Sequence, residues 1–203
     1  MIQNTDLHNR DEMWAMAPSI RPFDDGRVRR MFSTDRYTEA LRFAAERHHA
    51  QRVPDSELPY LVHVVSVAAE VIAALPTASI ADPDLAVTCA LLHDTVEDTA
   101  TNLDELAVKF GAAVAAGVAA LTKNHELPKA EQMADSLRRI KAQPPEIAMV
   151  KLADRITNLA PPPPHWTKDK CAAYREEAIV IADVLGYASA ALHERIRARI
   201  ATY

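Results

Sequence analysis

From Arg36 onward the apolar residues fall again and again at i, i+3 and i+4, the spacing that lays them along one face of an α-helix. Leu41, Ala44, Ala45 and His48 share such a face and predict a first helix from near Asp35 to about His49, closed by a turn at VPDSELP. A second is expected from Val62 to Leu75. It stops before Pro76, because proline lacks the N–H that the helical ladder needs and disfavours helical geometry in its predecessor. Asp82 can cap the free N–H groups of a third helix, with Pro83 at its first position. That helix carries LLHDTVED. Thr101 with Asp104 resembles a capping box for a fourth helix ending at Gly111, and AAVAAGVAALTK continues as a fifth whose small residues suit close packing. Further helices are predicted over roughly Lys129 to Ala142, Glu146 to Leu159 and Thr167 to Leu185, with a terminal one after Gly186. The proline run 161–164 must be an extended connector. Strand signals are weak and no internal repeat is visible, so the expected fold class is all-α.

Residues 1–33 lack sustained periodicity and read as an N-terminal arm, leaving 34–203 as one domain. With 49% hydrophobic residues the chain can bury a real core. Its net charge of -5 argues against a broad nucleic-acid or anionic-membrane surface, since such surfaces need a basic field. Cys89 and Cys171 both sit in apolar helical stretches and suggest neither a disulfide framework nor a thiolate zinc site. No leader pattern opens the chain and no apolar run is long enough to span a bilayer, so a cytoplasmic location is expected.

The stretch LLHDTVEDT changes the picture, because it places four ionisable groups where the pattern otherwise reads as the inside of a helix. On a continuous third helix His93 and Glu97, like Asp94 and Asp98, would be i, i+4 neighbours on one side. A His-Asp pair alone is ordinarily a solvated pair. Here His63 also opens an apolar helix and Asp154 interrupts the core-like run VKLADRITNL, and burying such groups without partners is costly. Two imidazoles and two carboxylates from three helices make a mixed N/O set that suits Mn²⁺, Fe²⁺ or Mg²⁺ with positions left open. Such an ion acidifies water and polarises phosphoryl oxygens, with Glu97 and Asp98 placed to manage the protons. Metal-assisted phosphate hydrolysis is the chemistry that fits.

H…HD…D, here His63, His93–Asp94 and Asp154, resembles the signature of the HD phosphohydrolase superfamily. The extended LLHDTVEDT is narrower and resembles the hydrolase domain of RelA/SpoT proteins, in particular the small stand-alone alarmone hydrolases that include the metazoan SpoT homologue. The resemblance runs from about Arg36 to Leu185 and implies an HD-domain helical bundle of about eight to ten helices. It further implies a Mn²⁺-dependent enzyme, with another divalent metal as the alternative, that removes the 3′-pyrophosphate of guanosine tetra- and pentaphosphate. Carried over position by position, His63, His93, Asp94 and Asp154 are the metal ligands and Glu97 with Asp98 the catalytic carboxylates. The same resemblance nominates Arg52 in HHAQR, Lys129 in ELPK, Asn158 in KLADRITNL and Tyr174 in AAYREEA as substrate contacts, with Arg155 left as structural. Val53 stands where the family has a lysine, and NLAPPPPHW replaces the usual NLRDL continuation. Both departures bear on base and 5′-phosphate recognition and keep (p)ppApp open as a substrate. A generic HD nucleotidase and a catalytically silent alarmone-binding module are the other readings. The expected partner is a small-molecule nucleotide, with no nucleic acid and no membrane; an oligomer is possible but unreadable.

Overall fold

The computed structural model describes residues 32–203. Ten α-helices make up the body: α1 Thr34–Arg47, α2 Leu61–Ala74, α3 Pro83–Leu92, α4 Thr95–Asp98, α5 Leu103–Phe110, α6 Ala112–Leu121, α7 Lys129–Lys141, α8 Pro145–Asn158, α9 Lys168–Leu185 and α10 Ala190–Thr202. No strand occurs among the described residues, and none of their helices is long and apolar enough to cross a membrane. The all-α expectation therefore holds. Residues 1–31 of the expected arm lie outside the described residues.

The order of packing follows from how apolar each helix is. All residues of α3 from Leu85 to Leu92 are buried, and a helix apolar all round belongs at the centre. It packs against α1, α2, α6 and α8, while α8 also carries α2, α9 and α10. Leu91, Leu92, Ile147, Met149 and Leu152 are among the side chains wholly removed from water at this centre. Each such side chain contributes about 1.5–3 kcal/mol. Where α6 crosses α3 and α8, Gly117 lets them approach: a Cβ there would stand 2.5 Å from Ile147 Cδ1 and 2.9 Å from Cys89 Sγ. Gly111 joins α5 to α6 at φ 96°, a backbone angle that favours glycine.

Helix starts are set locally. Asp82 accepts from the Leu85 N–H and Pro83 takes the first helical position, as expected. At α5 the structure corrects the sequence reading: Asn102, not Thr101, is the cap, and its side chain accepts from the Glu105 N–H at 2.9 Å. Thr101 is instead turned to Thr99, hydroxyl to hydroxyl. Pro76 ends α2, and the chain runs on through one tighter 3₁₀ turn, Leu75–Thr77.

The main departure is at the charged stretch. The third helix is not continuous through LLHDTVED; it ends at Leu92, and the single turn α4 restarts at Thr95. Thr95 Oγ1 bonds the Leu92 carbonyl and His93 Nδ1 stands 2.9 Å from the Ala90 carbonyl. Side chains that bond backbone carbonyls one turn earlier compete with the helical ladder. The two segments are separate helices, yet the Asp98 N–H still bonds the Asp94 carbonyl at 2.9 Å, and His93, Asp94, Glu97 and Asp98 keep the shared side expected of them.

Candidate active site

The break sends neighbouring side chains in useful directions. His93, 3% exposed, points its Nε2 at Asp94 Oδ2, 2.9 Å away, and lies 3.9 Å from Asp154 Oδ1. His63, near the start of α2, brings its Nε2 to 3.5 Å from Asp154 Oδ1 and 3.6 Å from Asp94 Oδ2. One donor atom each from His63, His93 and Asp154 lies within 4.8 Å of the other two. Asp94 abuts this trio and is held from outside by the Tyr60 hydroxyl, which donates to Oδ2 at 2.5 Å.

The donor chemistry suits a divalent cation. His93 Nδ1 faces a carbonyl and so carries a proton, which leaves Nε2 as the nitrogen turned to the carboxylates and able to offer a lone pair once its own proton is released. That Nε2 is buried and has no hydrogen-bond partner. A buried imidazole nitrogen aimed at two carboxylates, its other nitrogen fixed by a backbone carbonyl, has the arrangement of a metal ligand. Electrostatics agree. Burial pushes His63 down, but the Asp154 and Asp94 carboxylates outweigh it and raise it to about 9. Burial works against the charged forms of both acids too, yet Lys151 and the imidazoles hold Asp154 below the usual carboxylate range, and His93, His63 and Tyr60 do the same for Asp94. The acids stay charged and demand a positive partner.

Asp154 is also fixed from its own helix. Lys151 Nζ donates to Oδ2 at 2.9 Å and Asn158 Nδ2 to Oδ1 at 2.6 Å. Asn158, nominated as a nucleoside contact, here orients an acid.

Above the cluster opens a cavity of about 440 Å³ whose wall includes His93, Asp94, Glu97, Asp98 and Asp154. Lys123, Lys129 and Lys151 line it, as do Asn158, Trp166 and Tyr174. Glu97 accepts from the Lys123 backbone N–H at 3.0 Å and from its Nζ at 2.7 Å. Burial lowers the Lys123 ammonium, but Glu97 outweighs this and raises it, so the lysine keeps its proton. Asp98 accepts from Gln51 Nε2 at 2.9 Å. In the same lining the Trp166 and Tyr174 rings meet edge to face, with centroids 5.4 Å apart. The Arg155 guanidinium lies 4.2 Å over Tyr174, and Lys170 Nζ lies 3.9 Å over Trp166. A larger hollow of about 760 Å³, lined by Thr77, Ser79, Lys141 and Tyr187, has no histidine or carboxylate in its wall.

Of the residues nominated from sequence, His63, His93, Asp94 and Asp154 come together, and Glu97, Asp98, Lys129, Asn158 and Tyr174 line the same cavity. Arg52 does not: it is exposed on the turn after α1, bridged to Pro59, and outside the cavity wall. Sequence reasoning missed Tyr60, Lys123, Lys151 and Gln51. Tyr60 and Lys151 carried a signal, each three residues before a nominated ligand and so on its helical face. Lys123 and Gln51 carried none. Arg155, set aside as structural, is a buried part of the wall.

Buried His and Asp donors drawn from three helices of an all-α bundle, beneath a cavity with cationic and aromatic walls, define an HD-domain protein. The chain belongs to that family, whose model, described as HD domain, matches residues 40–181. Within it the chain is similar to guanosine-3′,5′-bis(diphosphate) 3′-pyrophosphohydrolase MESH1 of Danio rerio, 35% identical over 170 residues, which cover 81% of this chain and 92% of the relative. The Homo sapiens protein of the same name is 35% identical over 165 residues, 78% of this chain and 89% of its own. The solved structure of a metazoan ortholog of SpoT that hydrolyses ppGpp superposes with a TM-score of 0.74 at 27% identity, covering 85% of this chain and 98% of that one.

Proposed function

We propose that this protein is a divalent-metal-dependent pyrophosphohydrolase that removes the 3′-pyrophosphate of guanosine tetra- and pentaphosphate, giving GDP or GTP and pyrophosphate. The observation that carries the reading is the set His63, His93 and Asp154, with donor atoms within 4.8 Å and Asp94 alongside. Relatives named for this reaction, matched over most of both chains, support it.

His63, His93, Asp94 and Asp154 would hold the cation, with Mn²⁺ the proposed ion. When bound, such a cation supplies Lewis-acid polarisation of a phosphoryl oxygen and makes water a stronger acid. The rest falls to the chain's own groups. Water adds to the phosphorus attached to the ribose 3′-oxygen, that P–O bond breaks, and the 3′-oxygen leaves with a proton. Glu97, clamped by Lys123, takes the proton from the attacking water, and Asp98 beside it manages the proton bound for the leaving oxygen. Lys129 and Lys123 offset phosphate charge through charge-assisted bonds. Tyr174 and Trp166 offer the base a flat apolar wall that Arg155 and Lys170 brace.

The test is incubation of purified protein with Mn²⁺ and, separately, ppGpp, ppApp and a dNTP mixture, with products resolved by anion-exchange chromatography. Pyrophosphate with GDP from ppGpp is the expected result. Phosphate release, or turnover of dNTPs alone, would overturn it.

A further inference from the structure

His48 and Gln51 stand at the turn after α1, outside the cavity wall, yet they connect to it. Gln51 Nε2 donates to Asp98 Oδ2 at 2.9 Å, and Gln51 Oε1 stands 2.6 Å from His48 Nδ1. A carboxylate offers only acceptors. The Gln51 NH₂ must therefore face Asp98, its oxygen must face His48, and His48 must carry its proton on Nδ1. One carboxylate thus fixes an amide orientation and, through it, a tautomer.

The surroundings of His48 agree. It is 2% exposed, and its Nε2 is buried without a partner. A bare lone pair is what the Nδ1–H tautomer leaves there. The ring packs against Tyr60 with centroids 5.0 Å apart, and Tyr60 packs on His63 at 5.1 Å. Asp98 needs such support. It ends a single-turn helix, a length that does not hold itself rigid in water, and among the described residues its carboxylate has no other hydrogen-bond partner.

We propose that His48 and Gln51 are positioning residues, a relay in which the buried imidazole orients the Gln51 amide and the amide holds the Asp98 carboxylate at the angle the reaction needs. This rests on the reading of Asp98 as a carboxylate acting on the alarmone. The experiment compares kcat and KM for ppGpp, Mn²⁺ affinity and Tm for the wild type, Gln51→Ala, His48→Leu and His48→Asn. Gln51 is partly exposed, so Gln51→Ala reports even where a change at His48 impairs folding. Gln51→Ala and His48→Leu should lose about tenfold or more in kcat with KM and metal affinity unchanged. His48→Asn, whose amide N–H can stand where Nδ1–H stood, should recover most of that loss although it buries a more polar group. The order of kcat is then opposite to the order of Tm. Wild-type kcat in Gln51→Ala and His48→Leu, or losses that simply follow Tm, would overturn the relay while leaving the hydrolase reading intact. A wild type that releases no pyrophosphate from ppGpp would overturn that reading and the relay with it.

Discussion

Asp154 accepts from Lys151 on one oxygen and Asn158 on the other, while both imidazoles crowd its Oδ1 side. Without metal, protons do the neutralising. His63 is lifted from 6.5 to about 9, so its proton stabilises the metal-free fold fully below about pH 6.5, and that stabilisation is lost as pH rises through about 9. A cation competes for the same lone pair. Apparent Mn²⁺ affinity is therefore expected to climb from pH 6.5 to about 9 with proton release, which calorimetry in buffers of different ionisation enthalpy reads directly. A flat affinity across that range would contradict the carboxylate–imidazole coupling. Glu97 makes a second test. Glu97→Gln keeps a Lys123 contact through the amide oxygen but loses the basic site, so turnover should drop about a hundredfold or more while Mn²⁺ titration stays unchanged. Near-normal turnover would remove Glu97 from its role.

At the scale of the element, the chain from the end of α3 through α4 does the positioning: it brings His93 and Asp94 to the metal cluster and Glu97 and Asp98 to the same cavity wall one turn on. The sequence predicted most helices to within a few residues, because apolar spacing and caps such as Asp82 act locally. It did not show the break, since the bonds that make it, Thr95 to Leu92 and His93 to Ala90, use groups equally at home in a helix. The metal candidates were legible because an ionisable residue inside an apolar run needs an explanation. Lys123 and Gln51 were not, for they meet Glu97 and Asp98 across 26 and 47 residues of chain. The tightest element contact gives its own prediction. Gly117→Ala puts a methyl 2.5 Å from Ile147 Cδ1 in a filled core, and overpacking of this kind should cost about 1–3 kcal/mol in urea denaturation. A neutral result would mean that α6 can shift off α3 and α8 freely.

Over the whole molecule, the cluster ties together α2, the end of α3 and α8, three helices that share the core. Metal binding is then also fold stabilisation: at about a hundred times its dissociation constant a ligand specific to the native state adds about 2.7 kcal/mol. Tm should rise with Mn²⁺ and fall back on chelation. An unchanged Tm would separate the cluster from the fold. The cavity wall also has a charge balance: the carboxylates of Asp94, Glu97, Asp98, Asp154 and Glu177 face the cations of Lys123, Lys129, Lys151, Arg155 and Lys170. These groups balance, so before metal the pull on a polyanion comes from the proton on His63, and a dication that displaces it adds one further positive charge. A dication seated on Asp154 tips the balance and frees the Lys151 ammonium from its carboxylate. Metal loading is thus expected to speed nucleotide association, with an on-rate that becomes more sensitive to ionic strength once the cation is aboard.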